Sequence, residues 1–402
     1  MLFTIRVFDM EQGDSTLIRC PDGKLVMVDC GSKSGFTDDR RIAVQMAVRE
    51  WTQKTNNTIN TLILTHPDRD HYSEVGNILG KYAWQDDVQV GNKTITARKF
   101  KAVKVSNVYF SKASVNAGPL GNYKVNSVGS LVYNQHFSTN EIHEVTINAN
   151  ETNQYDTWTK GDAFTNPSTM ATAINNNRLS VLSGIAAGSN WSVSIIAGNV
   201  ADDAAISKEA TSNTASLITL LEMGTKRGLI CGDGTEKTEA FLNTNHAALI
   251  TNLEFIQVGH HGSETSSEAT FVNKTNPKAA FVSVANMEHS HYLPKADTIK
   301  RWLNKLNNKP SMDPHSIDYW VRDPNFKAGQ DNKAMQLLGQ WLQKGYKYVR
   351  SGNLYFLDTD YSTFQDDYFA LNVKTGFRLY RQGTPLNLRQ TATNGGFEFT
   401  LG

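Results

Sequence analysis

Residues 61–71 read TLILTHPDRDH, so an apolar run leads straight into a loop crowded with histidine and aspartate. Residues 61–64 have the pattern of a fully buried strand. The loop that follows carries four side chains able to bind a metal, namely His66, Asp68, Asp70 and His71. A helix or a strand could not turn all four toward one ion, but a loop can divide them between two. The alternative for this segment is a polar loop whose histidines are coincidental.

Three further apolar runs end in loops of the same chemical character. They are residues 228–231 followed by Asp233, 255–258 followed by His260 and His261, and 280–284 followed by His289 and His291. Because a sheet delivers the residues at its strand ends to a common crevice, we expect these side chains to lie close to the 65–71 loop. Histidine nitrogen and carboxylate oxygen suit Zn²⁺ or Mn²⁺, and the lack of cysteine ligands favours a catalytic over a structural site. Taken alone, each loop could also be an ordinary polar turn.

The first third of the chain alternates strand and helix patterns. Residues 3–7 alternate apolar and polar side chains with the period of a strand. Val44, Val48 and Trp51 form one apolar stripe on a predicted helix that runs from about residue 37 to residue 55. Strand, helix, strand and polar loop in this order predict an α/β layer fold.

The remainder of the chain changes character twice. Residues 113–190 contain 13 asparagines and have weak periodicity, which predicts an insertion of irregular or small β structure. The aromatic-rich sequence after about residue 310 predicts a helix at about 329–344 and a β meander. We therefore predict a main domain over residues 1–306, which includes this insertion, and a C-terminal extension over 307–402.

Composition excludes several classes of protein. The 402 residues include 40 Lys and Arg against 39 Asp and Glu, so the chain is not a globally basic nucleic-acid coat, and any patch for a polyanion must be local. No apolar run approaches 18 residues, so we expect no membrane span. Three scattered cysteines do not form a disulfide framework, and the N-terminus lacks a secretory pattern. Both features favour a cytoplasmic protein with reduced thiols.

Several motifs resemble those of the metallo-β-lactamase superfamily. The loop 65–71 resembles its first metal motif, His-x-His-x-Asp-His, with Asp68 in place of the second histidine. That exchange is typical of the ComEC-like branch, which includes the soluble domain of a bacterial DNA-uptake channel protein and free-standing relatives. Residues 8–15, 231–233 and 258–263 resemble the Asp-Val-Gly-Gln-Gly-Asp, Thr-Gly-Asp and His-His-Gly-Ser motifs of the same branch. The resemblance covers about residues 1–112 and 191–306.

The resemblance implies an αββα sandwich with a centre of two divalent metal ions, Zn²⁺ or Mn²⁺. His66 and Asp68 would hold one ion, while Asp70, His71 and one of the two adjacent histidines His260 and His261 would hold the other. Asp233 would bridge the two ions. We assign His260 to the metal and leave open which of the two adjacent histidines is the ligand.

Further residues take supporting roles in this prediction. Asp70, His261 and His291 are the catalytic candidates, for hydrogen bonding to the attacking water and for donation to a phosphate oxygen or the leaving group. His291 matches the branch only in part, because its neighbours differ from the Gly-His-Pro element found there. Asp29, and Asp14 with it, would orient the metal loop from behind, although each could simply stabilise a strand end or a turn.

The leading functional hypothesis is a dinuclear-metal-dependent hydrolase of phosphodiester bonds, in particular a nuclease acting on DNA or RNA. A second hypothesis is a hydrolase of a small phosphodiester or of a neutral ester, thioester or lactam. A third, from another class, is a binding protein with a vestigial metal site. Residues 295–350 carry 11 Lys and Arg against 5 Asp and Glu, and Lys300, Arg301 and Lys305 could line a nucleic-acid track on one helix. An ordinary amphipathic region is the alternative for this segment.

Overall fold

The structure is a computed structural model of the chain. It describes residues 2–32, 36, 38–80, 88–90, 93–95, 102–111, 141–148, 153–159, 169–200, 213–284, 293–306, 318–322, 348–351, 354–357, 370–372, 377–381, 388–390 and 396–402. Of the sequence predictions, His289, His291, the helix at 329–344 and part of the insertion at 113–190 lie outside these residues.

The strands of the described residues are β1 (Phe3–Val7), β2 (Thr16–Arg19), β3 (Leu25–Val28), β4 (Thr58–Leu64), β5 (Val88–Val90), β6 (Lys93–Ile95), β7 (Lys104–Ser111), β8 (Glu141–Thr146), β9 (Gln154–Thr159), β10 (Thr169–Ala173), β11 (Leu179–Ala186), β12 (Ser189–Ala197), β13 (Ile218–Met223), β14 (Lys226–Ile230), β15 (Phe255–Gln257), β16 (Ala279–Val282), β17 (Asp318–Arg322), β18 (Tyr348–Ser351), β19 (Leu354–Leu357), β20 (Ala370–Asn372), β21 (Phe377–Arg381), β22 (Leu388–Gln390) and β23 (Phe397–Leu401). The helices there are α1 (Asp38–Thr52), α2 (Arg69–Tyr72), α3 (Val75–Leu79), α4 (Glu236–Asn245), α5 (Ala269–Thr275) and α6 (Ala296–Leu306).

Two large sheets organise these strands. Where the chain is described, the first sheet has the order β10-β9-β8-β7-β4-β3-β2-β1-β23 and the second has the order β11-β12-β13-β14-β15-β16-β22. The strands β3, β4, β7 and β8 run parallel in the first sheet, as β14, β15, β16 and β22 do in the second. Parallel strands bring their carboxyl ends to one edge, where polar loops can meet.

The first sheet is buried on both faces. Ile18 and Ile63 point into the apolar core shared with the second sheet. Their chain neighbours Leu17 and Leu62 belong to a separate core on the opposite face. This alternation follows from the two-residue period of a strand, and it explains why these strands read as continuous apolar runs.

Helices cover the outer faces of the two sheets. The predicted apolar stripe of α1 is buried against the first sheet, together with residues of α3. Phe241 of α4, Phe271 of α5 and Trp302 of α6 are buried in the same apolar cluster as the strands of the second sheet. The result is the four-layer α/β sandwich that the sequence predicts.

Both segments outside the motif-bearing part of the chain contribute strands to the sandwich. β8, β9 and β10 extend the first sheet beyond β7, and β11 pairs with β12 at one edge of the second. From the C-terminal segment, β22 pairs with β16, β23 pairs with β1, and β17–β21 form a sheet of their own. The division into a main domain at 1–306 and an extension at 307–402 stays a prediction.

No helix among the described residues combines the length and the apolar character needed to cross a membrane.

Candidate metal centre

The loops singled out in the sequence meet at one edge of the sandwich. The segment 65–71 follows β4, and its last three residues belong to the short helix α2 rather than to the loop that the sequence predicts. Residues 29–32 follow β3, and residues 231–234 follow the parallel strand β14. Backbone hydrogen bonds lock two of these loops to the Asp14 turn, because the Asp14 N–H donates to the Asp70 carbonyl at 3.0 Å and the Gly31 N–H donates to the Asp14 carbonyl at 3.1 Å. Residues far apart in the chain therefore share one rigid frame.

Two glycines allow this close approach of the loops. A Cβ atom on Gly31 would lie 2.4 Å from backbone atoms of Asp70, His71 and Tyr72. A Cβ atom on Gly13 would lie 2.2 Å from the Gly31 carbonyl oxygen. Three backbone layers are thus stacked at distances that no side chain permits.

Asp233 lies at the middle of the centre, and its Oδ1 atom faces a buried group of side chains. The His71 Nε2 atom is 3.2 Å from this oxygen and the His261 Nε2 atom is 3.4 Å from it. The His261 Nε2 atom is also 3.6 Å from Asp70 Oδ2. Asp14, His71, Asp233 and His261 each offer a ligand atom within 4.8 Å of the others. This side of the centre is closed to solvent, since all of these residues are buried.

The second oxygen of Asp233 faces a more open group. The Nε2 atoms of His66 and His260 lie 3.7 Å and 3.8 Å from Asp233 Oδ2, and His66 Nε2 is also 3.7 Å from Asp68 Oδ2. The Asp68 side chain is 43% exposed and that of His260 is 20% exposed, whereas His66 is fully buried. The two carboxylate oxygens therefore face two groups of different solvent access.

Each buried histidine uses its Nδ1 atom to contact the protein. The His71 Nδ1 atom is 2.8 Å from Asp29 Oδ2, and the His261 Nδ1 atom is 2.7 Å from the Ser283 carbonyl oxygen. The His66 Nδ1 atom lies 3.3 Å from the Ser216 hydroxyl and 3.2 Å from that of Thr65. These contacts fix the ring orientations and turn every Nε2 atom toward Asp233.

Five of the buried atoms that converge on the centre make no hydrogen bond of acceptable geometry among the described residues. They are the Nε2 atoms of His66, His71 and His261, the Oδ1 atom of Asp233 and the Oδ2 atom of Asp14. Buried polar groups are nearly always satisfied, so a cluster of unsatisfied nitrogen and oxygen atoms indicates that something else binds there. The buried histidine nitrogens and carboxylate oxygens are a donor set that fits a divalent metal ion.

Asp29 supports the centre from behind. Its carboxylate accepts from the Thr65 N–H at 2.8 Å and from the Thr65 hydroxyl at 2.7 Å, in addition to the contact with His71. Its backbone has a φ of 55°, a left-handed conformation that aspartate and asparagine tolerate better than other residues with a Cβ atom. Asp14 lies beside Asp29 on the same side of the ring, with its Oδ2 atom 3.7 Å from His71 Nδ1. Burial raises the pKa of Asp14.

The charges of the centre shift one another's pKa in opposite directions. Burial alone would raise the pKa of Asp233, but the nearby His261 and His71 bring it well below its usual range. Burial alone would lower the pKa of His261, yet Asp233 and Asp70 raise it to about 9. Asp233 also raises the pKa of His71 against the effect of burial. Protons and a divalent cation would therefore compete for these nitrogen atoms.

The adjacent histidines His260 and His261 have different surroundings. Both have left-handed φ angles, 48° and 50°, which is unusual for two consecutive residues other than glycine, and their Nε2 atoms approach different oxygens of Asp233. The His260 Nδ1 atom is 2.7 Å from the Thr265 hydroxyl, and its Nε2 atom is 3.1 Å from the Asn213 amide. Burial lowers the pKa of His260, which the charge of Asp233 offsets only in part. His261 is the buried member and His260 the accessible one.

Several residues at the centre were not singled out from the sequence. Thr65 could have been found, because it directly precedes the metal loop. Ser216, Asn213 and Gln257 could not, because isolated polar residues on or beside apolar strands give no signal until the fold brings them to the loop.

Comparison with known proteins agrees with this picture at the level of the superfamily. The family model described as the metallo-beta-lactamase superfamily matches residues 9–91, which include Asp14, Asp29 and the loop 65–71. No curated protein matches the chain. Human tRNase Z, short form, superimposes with a TM-score of 0.31 and 10% identity, over 70% of this chain and 92% of that one. A mutant CmlA beta-hydroxylase superimposes with a TM-score of 0.33 and 12% identity, over 70% of this chain and 46% of that one. The resemblance to the metallo-β-lactamase superfamily that a family model shows is therefore confined to residues 9–91.

Proposed function

We propose that the chain is a metal-dependent hydrolase of the ComEC-like branch that uses two divalent ions to cleave phosphodiester bonds in nucleic acid. In this proposal Asp70, His71 and His261 hold the buried ion, while His66, Asp68 and His260 hold the accessible one. Asp233 bridges the two. His261 thereby takes the role of a ligand in place of the catalytic role expected from the sequence, and His260 is the histidine nearest to solvent.

One observation carries the proposal. Three buried histidine Nε2 atoms without partners among the described residues surround a single carboxylate, and its two oxygens face two different groups of side chains. A structural ion pair would need neither the open second group nor the unsatisfied nitrogens. A bridging carboxylate with nitrogen donors on both sides is the arrangement expected for a pair of ions.

The residues on the buried side and on the accessible side of Asp233 have different roles in the proposed hydrolysis. Bound divalent ions would supply an activated water and neutralise charge on the phosphoryl oxygens. Asp70 faces the buried side, where it can accept a hydrogen bond from the attacking water. His260 faces the accessible side, where its Nε2 atom would serve the proposed ion, since the Thr265 hydroxyl already contacts its Nδ1 atom. Asp29 and the Ser283 carbonyl hold the rings of His71 and His261 in place.

Fewer side chains are available for the proposed nucleic-acid track than the sequence suggests. Arg301 is partly buried and donates to the Ser267 carbonyl, which ties α6 to the segment before α5. Lys300 is exposed and Lys305 is half-buried. We therefore keep Lys300 and Lys305 as candidates for contact with backbone phosphates.

Hydrolysis of phosphodiester substrates by the metal-loaded chain tests the proposal. The purified chain, loaded with Mn²⁺ or Zn²⁺, is offered single-stranded DNA, duplex DNA, RNA and bis-p-nitrophenyl phosphate. We expect hydrolysis of the generic phosphodiester and of at least one nucleic acid, and complete loss with a chelator. Turnover of neutral esters alone would contradict the phosphodiester proposal.

The salt dependence of binding tests whether nucleic acid is the substrate. If Lys300 and Lys305 contact backbone phosphates, affinity for nucleic acid falls by about 0.7–0.9 log units per log unit of salt for each contact. Replacing both lysines by glutamine should flatten that slope and leave hydrolysis of bis-p-nitrophenyl phosphate unchanged. Binding that does not depend on salt would contradict a nucleic-acid track on α6.

A further inference from the structure

Gln257 joins two loops of the proposed metal centre through one side-chain amide. It lies on β15 and is 2% exposed. Its Oε1 atom accepts from the backbone N–H groups of Cys231 at 3.0 Å and Gly232 at 3.1 Å. Its Nε2 atom donates to the Oδ1 atom of Asp14 at 2.9 Å.

The two loops belong to different sheets. Asp14 lies between β1 and β2 of the first sheet, whereas Cys231 and Gly232 follow β14 of the second. The amide therefore connects the two halves of the sandwich next to the centre. Neither half could fix the other through its own strand hydrogen bonds, because these run within each sheet.

Both contacts of the amide lead directly to the residues of the centre. Gly232 immediately precedes Asp233 and has a left-handed φ of 49°, with Thr65 packed against it. The Asp14 Oδ2 atom lies 3.7 Å from His71 Nδ1. A shift of Gln257 would therefore change the distance between the bridging carboxylate and the histidine beside it.

We propose that Gln257 is a positioning residue that fixes the Asp233 turn and Asp14 relative to each other, and so sets the affinity of the buried ion site. The inference rests on the proposed metal centre. Glutamine suits this position because a single planar amide supplies an acceptor for two N–H groups and a donor for a carboxylate. Glutamate would keep the acceptor but turn a second carboxylate toward Asp14, and methionine would supply neither.

The test measures metal affinity in two variants and a control. Gln257→Met removes all three hydrogen bonds at nearly constant volume, and Gln257→Glu retains the two that the Asp233 turn donates. Gln45→Met is the control, because Gln45 is an equally buried glutamine on α1 whose amide donates to the Asn77 carbonyl, away from the centre. Zn²⁺ affinity is measured by competition with a chromophoric chelator, and circular dichroism reports folding.

The expected result is a Zn²⁺ affinity 10- to 100-fold weaker in whichever Gln257 variants fold, with Gln45→Met within twofold of wild type. Wild-type affinity in a folded Gln257 variant would overturn the inference, and so would the failure of both variants to fold in the presence of Zn²⁺, since Gln257 would then serve the fold. If wild-type protein itself bound no Zn²⁺ or Mn²⁺, the proposed metal centre would fail first. The two failures are therefore distinguishable.

Discussion

At the scale of single residues, the centre depends on how each histidine divides its two ring nitrogens. The Nδ1 atoms of His71 and His261 contact the protein, and their Nε2 atoms are left for another partner. A supporting group that fixes the tautomer raises the basicity of the nitrogen that faces the ion. Asp29 is such a group for His71.

Asp29→Asn tests this support with little change in shape. Asparagine tolerates the left-handed backbone at this position, and its carbonyl can still accept from the Thr65 N–H. It loses the negative charge that holds His71, so we expect Zn²⁺ or Mn²⁺ affinity to fall about 10- to 100-fold. Equilibrium metal titration measures the change, with Asp22→Asn in an exposed turn as the control. Equal metal affinity in both variants would show that Asp29 serves only the backbone.

The sequence singles out the residues proposed to bind metal more readily than those that support them. His66, Asp68, Asp70 and His71 are neighbours in one loop, so their chemistry is visible without the fold. Ser216 precedes β13 and Gln257 ends β15, neither segment has such a pattern, and the roles of both residues depend on tertiary contacts. The same limit applies to the adjacent histidines, because the left-handed angles that separate His260 from His261 are not encoded in a two-residue motif.

At the scale of elements, the centre depends on loops packed backbone to backbone. The contact between residues 13, 31 and 70–71 leaves no space for side chains. We expect Gly31→Ala to cost roughly 3 kcal/mol or more of the free energy of unfolding, because backbone atoms cannot move aside as a flexible side chain could. Urea unfolding measures the loss.

The control for this prediction is Gly23→Ala. Gly23 has a φ of 90° but open space around its Cα atom, so alanine should cost only about 1 kcal/mol for the unfavourable backbone angle. A similar loss in the two variants would contradict the packing argument.

The burial of His143 on β8 predicts that the free energy of unfolding falls in acid. Burial lowers the pKa of His143 to about 4, against an unfolded value of about 6.5. Tyr109 stacks on the ring, the Thr157 hydroxyl is 2.9 Å from Nδ1, Tyr155 lies edge-on, and Glu141 is 3.7 Å away but exposed. The unfolded chain thus binds this proton first, and the stability contributed by neutral His143 is present above pH 6.5 and lost as the pH falls toward 4.

This pH dependence is measured by comparing the free energies of unfolding of two proteins. The free energy of unfolding of wild type relative to His143→Gln should be constant above pH 7 and should fall by up to about 3 kcal/mol between pH 6.5 and 4. Urea unfolding across this range measures it, and the carboxylates of the centre cancel in the comparison. A difference that does not change with pH would exclude His143 as the titrating group.

The placement of whole strands could be predicted only in part. The apolar runs of β4, β14 and β15 end in recognisable loops, so their order and their common edge follow from the sequence. The strands β8–β11 lie in Asn-rich sequence, where side chains give little period to read, and their places in the two sheets depend on pairing with distant partners.

At the scale of the whole molecule, β23 forms one edge of the first sheet and covers part of the core. Phe399 packs against Phe255 with 4.8 Å between ring centroids, and Phe397 lies 5.9 Å from Phe281. Deleting residues 396–402 would uncover the edge of β1 and remove these contacts. We expect a loss of roughly 4 kcal/mol or more in unfolding free energy, at about 1.5–3 kcal/mol per large apolar side chain.

Glu398→Ala controls for the loss of charge in that deletion. Glu398 forms a partly exposed ion pair with Arg6, so its removal should cost less than about 1 kcal/mol. A deletion no more harmful than this substitution would show that β23 is not part of the stable core.

The central claim is that Asp233 bridges two divalent ions, and the most direct test is the number of ions bound per chain. Mn²⁺ or Zn²⁺ is titrated into metal-free wild-type protein and into Asp233→Ala, with circular dichroism to confirm that both are folded. Wild-type protein should bind two ions, with the buried site filled before the accessible one. Asp233→Ala should lose at least one ion together with all metal-dependent hydrolysis. Folded wild-type protein that binds no divalent ion, or an Asp233→Ala variant that binds both ions with wild-type affinity, would contradict it.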